Sequence, residues 1–173
     1  MTTNPKIAQR RSKIHGSGVF ARAAIKKGEE IVDYEGRLIT HDIADDTYGG
    51  EDTGHTFLFI LNEHWVVDAN VNGNVAKWIN TGCDPNCIAE IVADPGGNPR
   101  KDRVVISALR DIKTGEELTY DYDVCTEEPI TPEERKNWAC HCGAANCRRV
   151  MLKYKPRQKK PTAKPKTKTK TKR

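Results

Sequence analysis

Residues 77–87 read K-W-I-N-T-G-C-D-P-N-C and lie between two segments that are rich in β-forming residues. Residues 80–82 (N-T-G) and 84–86 (D-P-N) are turn formers, so we expect the backbone to bend sharply here. Cys83 lies within this bend, far in sequence from a second group of cysteines. If these thiols bind one metal ion, the middle of the chain is tied to its C-terminal part.

The second group of cysteines occurs in the stretch C-H-C-G-A-A-N-C and comprises Cys140, Cys142 and Cys147. Structural zinc sites take four tetrahedral ligands, usually from Cys and His, so this spacing supplies three of them. His141 lies between two cysteines, and its side chain should point away from a metal that both neighbours bind. The spacing does not choose among the other candidates for the fourth ligand, which are Cys83, Cys87 and Cys125.

The length of 173 residues predicts one domain with a tail. No apolar run approaches the roughly 20 residues that a membrane helix needs, and no secretory signal is evident. We therefore predict an intracellular protein without a membrane partner, in the nucleus or on chromosomes, or in a bacterial cytoplasm or nucleoid. In a reducing compartment, the six cysteines are expected to be metal ligands or free thiols.

The net charge of +5 conceals an uneven distribution. Residues 153–173 contain eleven of the 29 Lys and Arg and no acid, which leaves 18 basic and 24 acidic residues in the preceding 152. An acidic body favours encounters with basic partners. The tail lacks the apolar residues of a core, so it is predicted to be disordered and able to neutralise nucleic acid phosphates.

The local patterns predict many short strands and little helix. Residues 25–34 and 112–121 resemble each other, and we interpret them as two similar turns that each lead into a strand. Residues 56–68 look like a β-hairpin that turns at positions 62–63, and residues 103–108 like another strand. Residues 40–56 are polar and are predicted to be an irregular insert. Thr131 and Pro132 are the N-cap and first position of a predicted short helix.

Five pieces of the sequence resemble, in order, the SET-domain protein lysine methyltransferases with an attached post-SET segment. They read H-G-S-G-V-F-A, D-Y-E-G, V-D-A-N-V-N-G-N-V-A-K-W-I-N-T-G-C-D-P-N-C, G-E-E-L-T-Y-D-Y and C-H-C-G-A-A-N-C-R. The resemblance covers roughly residues 11–152. It implies a mostly β fold of small sheets with a threaded, knot-like active site. The implied divisions are a SET domain at 1–124 (core about 11–124), a post-SET region at 125–152 and the Lys-rich tail at 153–173.

The resemblance implies that S-adenosylmethionine is the cofactor. The implied cofactor-binding residues are Gly16, Ser17, Gly18, Phe57, Asn80 and Thr81. Asn80 matches the asparagine that holds the amino acid end of the cofactor. Thr81 and Gly82 depart from the family pattern N-H-S-C, and Phe57 stands where relatives often carry a tyrosine. These departures predict weaker cofactor binding.

Three tyrosines match the family's reaction site. Tyr122 matches the catalytic tyrosine, and Tyr34 matches a second tyrosine of the lysine channel. Tyr120 matches the position whose size and hydroxyl limit how many methyl groups fit, and a tyrosine there implies mainly monomethylation.

The resemblance also completes the metal site. Cys83 matches the cysteine that joins the post-SET trio, so the implied zinc ligands are Cys83, Cys140, Cys142 and Cys147. Cys87 and Cys125 then have no role in the site. The folded post-SET segment is expected to close one wall of the cofactor and substrate site.

The expected function is S-adenosylmethionine-dependent protein-lysine N-methylation, mainly monomethylation, of a basic histone or histone-like protein by a monomer. Asn80 and Tyr122, which this chemistry needs, are both present. The alternative is a non-catalytic SET module that binds nucleic acid or chromatin through its basic tail.

Overall fold

The computed structural model describes residues 4–49 and 57–156, and within them the chain forms short strands and little helix. The strands are β1 (Ile7–Arg11), β2 (Ser17–Ala21), β3 (Glu30–Asp33), β4 (Arg37–Thr40), β5 (Leu58–Ile60), β6 (Trp65–Asp68), β7 (Asn80–Thr81), β8 (Cys87–Val92), β9 (Arg103–Ala108), β10 (Glu117–Tyr120), β11 (Cys125–Thr126) and β12 (Lys153–Tyr154). The helices are α1 (His41–Tyr48) and α2 (Pro132–Asn137), with 3₁₀ turns at Val75–Trp78 and Pro99–Lys101. The predicted mostly β fold is confirmed.

The strands form several small sheets, and β10 is central to the one that positions the site. That sheet has the order β1-β2-β10-β7; the others have the orders β3-β9-β8, β4-β6-β5 and β11-β12. Strand β10 pairs antiparallel with β2 and parallel with β7, where Thr119 pairs with Asn80 and Tyr120 with Thr81. The stretch 77–87 therefore supplies the strand beside β10.

The turn that follows β7 is fixed to the same strand by Asn86, whose side chain is buried. Its Nδ2 donates to the Glu117 carbonyl at 2.8 Å, and its Oδ1 accepts from the Thr119 N–H at 2.9 Å. The amide thus pairs with a carbonyl and an N–H of β10, as a neighbouring strand would do. Both ends of the stretch 80–86 are therefore held against β10.

The two similar segments meet at their first residues. The N–H of Ile25 donates to the Ile112 carbonyl at 3.0 Å, and the N–H of Ile112 donates to the Ile25 carbonyl at 2.9 Å. Gly28 and Gly115 both have positive φ, +79° and +90°, which glycine adopts at little cost. Each turn leads into a strand, as predicted, but β3 and β10 belong to different sheets.

Other local predictions are also confirmed. Strands β5 and β6 form the predicted hairpin, with the turn between residues 60 and 65. Strand β9 covers the predicted segment 103–108. Helix α2 begins after Thr131, and Thr131 and Glu134 form a reciprocal capping box that satisfies two backbone N–H groups.

The prediction of an irregular insert at 40–56 was wrong for its first half, which forms helix α1. The Thr40 hydroxyl accepts from the Ile43 N–H at 3.4 Å and caps the helix. The Tyr48 hydroxyl donates to Asp68 at 3.0 Å, and Ala44 is buried against β4 and β6. These tertiary contacts stabilise a helix that is too short and polar to be recognised from its sequence. Residues 50–56 lie outside the described part.

The C-terminal segment begins with a strand. Lys153 and Tyr154, which the sequence analysis assigned to the tail, form β12 and pair parallel with Cys125 and Thr126 of β11. Residues 157–173, which hold the rest of the predicted tail, lie outside the described residues. Across 4–49 and 57–156, no helix is both long and apolar enough to cross a membrane.

Candidate active site

Asn80 connects the predicted cofactor loop to strand β10. Its side chain is almost fully buried, at 7% exposure. Its Nδ2 lies 2.9 Å from the Ser17 carbonyl and 2.9 Å from Glu117 Oε1. Gly16, at the start of this loop, has φ +43°, a conformation that favours glycine. Asn80 therefore holds residues 16–18 against β10; this segment, called the loop 16–18 below, comprises Gly16 and the first two residues of β2.

Glu117 is a residue that the sequence analysis missed. Its Oε1 accepts from the Ser12 hydroxyl at 2.6 Å as well as from Asn80. A Cβ added at Gly18 would overlap this oxygen, so a larger residue at position 18 would displace the carboxylate from its present position. The second glutamate of the quoted G-E-E-L piece was the available signal, although a local pattern does not show which loop it contacts.

The three predicted tyrosines lie together. The rings of Tyr120 and Tyr122 are 4.9 Å apart between centroids. Phe59, which the sequence analysis did not single out, joins them to Tyr34: its ring lies 5.5 Å from that of Tyr34 and 6.5 Å from that of Tyr120. The Tyr122 hydroxyl donates to the Ile79 carbonyl at 2.7 Å, which fixes the ring's orientation.

Burial keeps these phenols neutral. It raises the pKa of Tyr34, Tyr120 and Tyr122, because the phenolate would lose its hydration. At Tyr34 and Tyr120, the proximity of Tyr122 raises the pKa further. The cluster is therefore an uncharged wall at neutral pH.

These side chains border a cavity of about 820 Å³. Its lining includes the three tyrosines with Phe59, Asn80 and Thr81, and residues from the post-SET region and α1 complete it. Seven of the lining residues, among them Trp138 and His141, come from residues 125–152. This segment therefore forms part of the cavity wall. The volume is in the range of small-molecule sites in proteins.

Of the six predicted cofactor residues, Asn80 and Thr81 line the cavity, whereas Gly16, Ser17, Gly18 and Phe57 are not among its described lining residues. The Phe57 ring packs edge-on against Trp78 with centroids 5.1 Å apart, and the Lys77 ammonium lies 5.5 Å from its centroid. Lys77 lines the cavity, whereas Phe57 is not among the described residues that do so. Phe57 therefore supports the wall from behind.

The unusual pair Thr81-Gly82 has a local structural explanation. The Thr81 hydroxyl accepts from the Tyr122 N–H at 3.4 Å, so it contacts the backbone of the tyrosine segment. A Cβ at Gly82 would lie 2.8 Å from the Thr119 hydroxyl, which leaves no room for a larger residue without a shift. Both residues thus fit closely against β10.

Four cysteines, one from the stretch 77–87 and three from residues 140–147, lie close together. The sulfur atoms of Cys83, Cys140, Cys142 and Cys147 all lie within 4.8 Å of one another. The Cys83 and Cys140 sulfurs are 3.8 Å apart, and tetrahedral zinc with Zn–S bonds of about 2.3 Å requires about 3.8 Å. The residues present therefore fit a zinc ion.

The structure distinguishes Cys83 from the other candidates for the fourth ligand. Cys87 is buried and donates to Asn86, and Cys125 is exposed and donates to the Asp123 carbonyl. Neither belongs to the four-cysteine group, and His141 faces the cavity instead.

Backbone N–H groups point at the sulfurs. The N–H of Arg148 lies 3.4 Å from Cys83 Sγ, and that of Cys83 lies 3.5 Å from Cys142 Sγ. Burial raises the pKa of Cys140 to about 12. At Cys142 burial acts in the same direction, but hydrogen bonds from the N–H groups of Cys83 and Ala144 and with the neighbouring Cys147 and Cys140 thiols together outweigh it and lower the pKa to about 7. Such donors favour the thiolate that a metal binds.

Comparison with known proteins identifies the fold. The family model described as "SET domain" matches residues 16–123, more than half of the chain. The chain belongs to the SET-domain family. This SET domain is 42% identical over 140 residues to "Histone-lysine N-methyltransferase, H3 lysine-4 specific" of Schizosaccharomyces pombe. The aligned residues are 79% of this chain and 14% of that protein. The SET domain is also 37% identical over 153 residues to human "Histone-lysine N-methyltransferase 2B", covering 87% of the chain and 5% of that protein.

A further relative is the Saccharomyces cerevisiae protein "Histone-lysine N-methyltransferase, H3 lysine-4 specific", 39% identical over 141 residues, with 80% of this chain and 12% of that protein covered. The SET domain thus spans only 5% to 14% of the length of these three relatives. Among solved structures, it is similar to a chain of ctPRC2 in an autoinhibited conformation bound to S-adenosylmethionine. The TM-score is 0.60 at 29% identity, over 69% of this chain and 15% of that one.

Proposed function

We propose that this SET domain is an S-adenosylmethionine-dependent histone-lysine N-methyltransferase. The observation that carries this proposal is the tyrosine-lined cavity bordered by Asn80. Several relatives are named histone-lysine methyltransferases, and two of those reported above are named for lysine 4 of histone H3. Lysine 4 of histone H3 is therefore the first substrate to test, and such a substrate would locate the protein at chromatin.

Asn80 and the loop 16–18 are the residues proposed to hold S-adenosylmethionine. The cofactor supplies a methyl group on a sulfonium centre for transfer to an amine. Asn80 lies in the cavity wall, and its amide already orders the loop through the Ser17 carbonyl. Thr81, the neighbouring lining residue, completes this polar end of the cavity. A solved structure similar to this one contains S-adenosylmethionine, which supports the assignment.

The tyrosines are proposed to hold the target lysine and favour its neutral form. A free lysine has a pKa of about 10.4, so deprotonation at pH 7 costs roughly 4–5 kcal/mol. A buried wall of neutral rings disfavours the ammonium and so reduces this cost. Tyr122 is held rigidly by the Ile79 carbonyl, and holding amine and methyl in line lowers the entropic part of the barrier. The amine proton leaves to solvent before attack.

Tyr120 is proposed to limit the product mainly to monomethyl-lysine. Its ring is buried and lies between Phe59 and Tyr122. A larger methylated amine needs space beside this side chain, and the ring and hydroxyl of Tyr120 fill part of it.

The four-cysteine group is proposed to bind one zinc ion. Zinc would fix Cys83, in the bend after Asn80, to the post-SET cysteines. Trp138 and His141 line the cavity from that segment, so metal binding would stabilise one wall of the site.

The protein is proposed to be a monomer.

The basic tail is proposed to contact nucleic acid. The observation that supports this contact is the run of eleven Lys and Arg without an acid in residues 153–173. Binding to phosphates through such a segment falls steeply with salt. A chain truncated after residue 156 is therefore expected to bind duplex DNA more weakly, with a shallower salt dependence, and equal binding would contradict the proposal.

The decisive experiment incubates the purified chain with methyl-labelled S-adenosylmethionine and recombinant histone H3, or H3 in which lysine 4 is replaced by arginine. We expect labelling of H3 that the arginine substitution abolishes. Tyr122→Phe is expected to reduce the rate strongly, whereas the matched control Tyr154→Phe, at an exposed residue, is expected to leave it unchanged. Labelling that is absent from H3, or unchanged in Tyr122→Phe, would contradict the proposal.

A further inference from the structure

Arg148 contacts both the four-cysteine group and Asp121, which follows β10 between Tyr120 and Tyr122. Its backbone N–H donates to Cys83 Sγ at 3.4 Å. Its guanidinium makes two hydrogen bonds with the Asp121 carboxylate, Nη1 to Oδ2 at 2.9 Å and Nη2 to Oδ1 at 3.1 Å. This paired geometry fixes orientation as well as distance.

Asp121 stands between Tyr120 and Tyr122 and organises the backbone that follows them. Its Oδ1 accepts from the Asp123 N–H at 3.1 Å, and the Lys153 ammonium lies 3.0 Å from its Oδ2. Asp123 has φ +50°, an uncommon conformation for a residue other than glycine. The Asp121 carboxylate therefore holds the chain in the bend that aims Tyr122 into the cavity.

The Arg148 side chain has a buried donor atom without a hydrogen-bond partner among the described residues. Its Nε is buried and, in the part of the chain that the structure describes, has no hydrogen-bond partner. Such a buried, unpaired donor is unfavourable and calls for an explanation. A lysine would avoid the unpaired Nε but would not reproduce the two parallel bonds to Asp121.

We propose that Arg148 is a positioning residue that couples the order of the four-cysteine group to the orientation of Tyr122, through Asp121. This coupling rests on the function proposed above. It extends that function to a residue that belongs neither to the cysteine ligands nor to the described cavity lining. The Arg148 side chain thus links the post-SET segment to Asp121, between Tyr120 and Tyr122. Loss of the guanidinium should disturb Tyr122 while leaving the metal site and the cofactor loop intact.

The test compares Arg148→Gln and Arg148→Lys with the wild-type chain, and uses Arg135→Gln as a control at an exposed arginine of the same segment. Turnover on histone H3, cofactor Kd by calorimetry, zinc content and amide hydrogen exchange are measured on each. We expect Arg148→Gln to lower kcat about tenfold, since small misplacements of reacting groups are costly. Cofactor Kd and zinc content should stay at wild-type values.

Hydrogen exchange should quicken in the peptide covering residues 119–126 and not in that covering 140–147. Arg148→Lys should recover part of the kcat, and the double variant Arg148→Gln with Asp121→Asn should lose no more than the worse single variant. Zinc loss in step with activity, or unchanged kcat and exchange in Arg148→Gln, would overturn the proposal. If the wild-type chain methylates nothing, the proposed function fails, but the exchange comparison still decides the coupling.

Discussion

Glu117 and Asn80 are 37 residues apart in sequence, yet the Glu117 carboxylate accepts a hydrogen bond from the Asn80 amide at 2.9 Å. The same oxygen accepts from the Ser12 hydroxyl. The carboxylate thus holds together the strand β10, the asparagine and the segment that leads into the loop 16–18.

The first prediction concerns Glu117. Glu117→Gln removes the negative charge that strengthens both hydrogen bonds, so Asn80 and the loop should be less well ordered. The loss of about 1 kcal/mol predicts roughly fivefold weaker cofactor binding, measured by calorimetry. The control is Glu90→Gln, at an exposed position of β8. Equal affinity in Glu117→Gln and wild type would show that this contact does not prepare the site.

The second prediction concerns the metal. The purified chain should contain one zinc ion, and Cys142→Ser should lose it because the substitution removes one of four sulfur ligands. Cys125→Ser is the matched control, since this cysteine is exposed and outside the group. Zinc content by mass spectrometry of metals, with Tm before and after chelation, checks both. A zinc content that falls equally in the two variants would contradict the assignment of ligands.

The third prediction concerns the degree of methylation. Tyr120→Phe removes one hydroxyl from the wall between Phe59 and Tyr122, so a methylated amine should fit more easily. We expect dimethyl- and trimethyl-lysine to rise relative to monomethyl-lysine, as read by mass spectrometry of an H3 peptide. Tyr154→Phe is the control. An unchanged product distribution would remove the basis for proposing monomethylation.

The fourth prediction concerns pH. Because burial raises the pKa of Tyr34, Tyr120 and Tyr122, their contribution to stability is complete below the usual value of about 10 and is lost as pH rises beyond it. We expect kcat/KM to rise with pH as the target lysine deprotonates, without a descending limb below about pH 9.5. A decline at lower pH that Tyr122→Phe abolishes would indicate an ionised phenol instead.

The fifth prediction concerns the anchor of α1. Asp68 is completely buried and pairs with Arg37 at 2.8 Å, while Tyr48 donates to it from α1. Asp68→Asn should lower the free energy of unfolding by about 2 kcal/mol, below the usual cost of breaking a buried pair because Arg37 is half-exposed. Urea unfolding measures this, with the exposed Asp46→Asn as control.

Asp68 should also make stability depend on pH. Burial opposes its ionisation, but hydrogen bonds from Arg37 and Asn70 outweigh burial and lower its pKa. The stability it supplies is therefore present above about pH 4 and is lost as pH falls through the lower value of the folded state. Asp68→Asn should flatten the stability curve in this range, and an unchanged slope would show that other carboxylates dominate.

The patterns that sequence reasoning identified are those set by neighbouring residues. The turns at Gly28 and Gly115, the hairpin of β5 and β6 and the cap at Thr131 depend on conformational preferences within a few positions, and all are present. Helix α1 was missed because tertiary contacts stabilise it, among them the packing of Ala44 and the hydrogen bond from Tyr48 to Asp68, twenty residues further along the chain.

The sequence by itself determined the strand-rich fold, the presence of Asn80 and the tyrosines, and three cysteines spaced to bind one metal. Spacing alone left Cys83, Cys87 and Cys125 as candidates for the fourth ligand, and the family resemblance implied Cys83. The tertiary structure brings Cys83, and neither of the other two, to those three cysteines. Only the tertiary structure showed that Glu117 and Arg148 connect the parts of the site. The physical reason is that spacing specifies local geometry, whereas contacts such as that between Arg148 and Cys83, 65 residues apart, depend on how whole sheets pack.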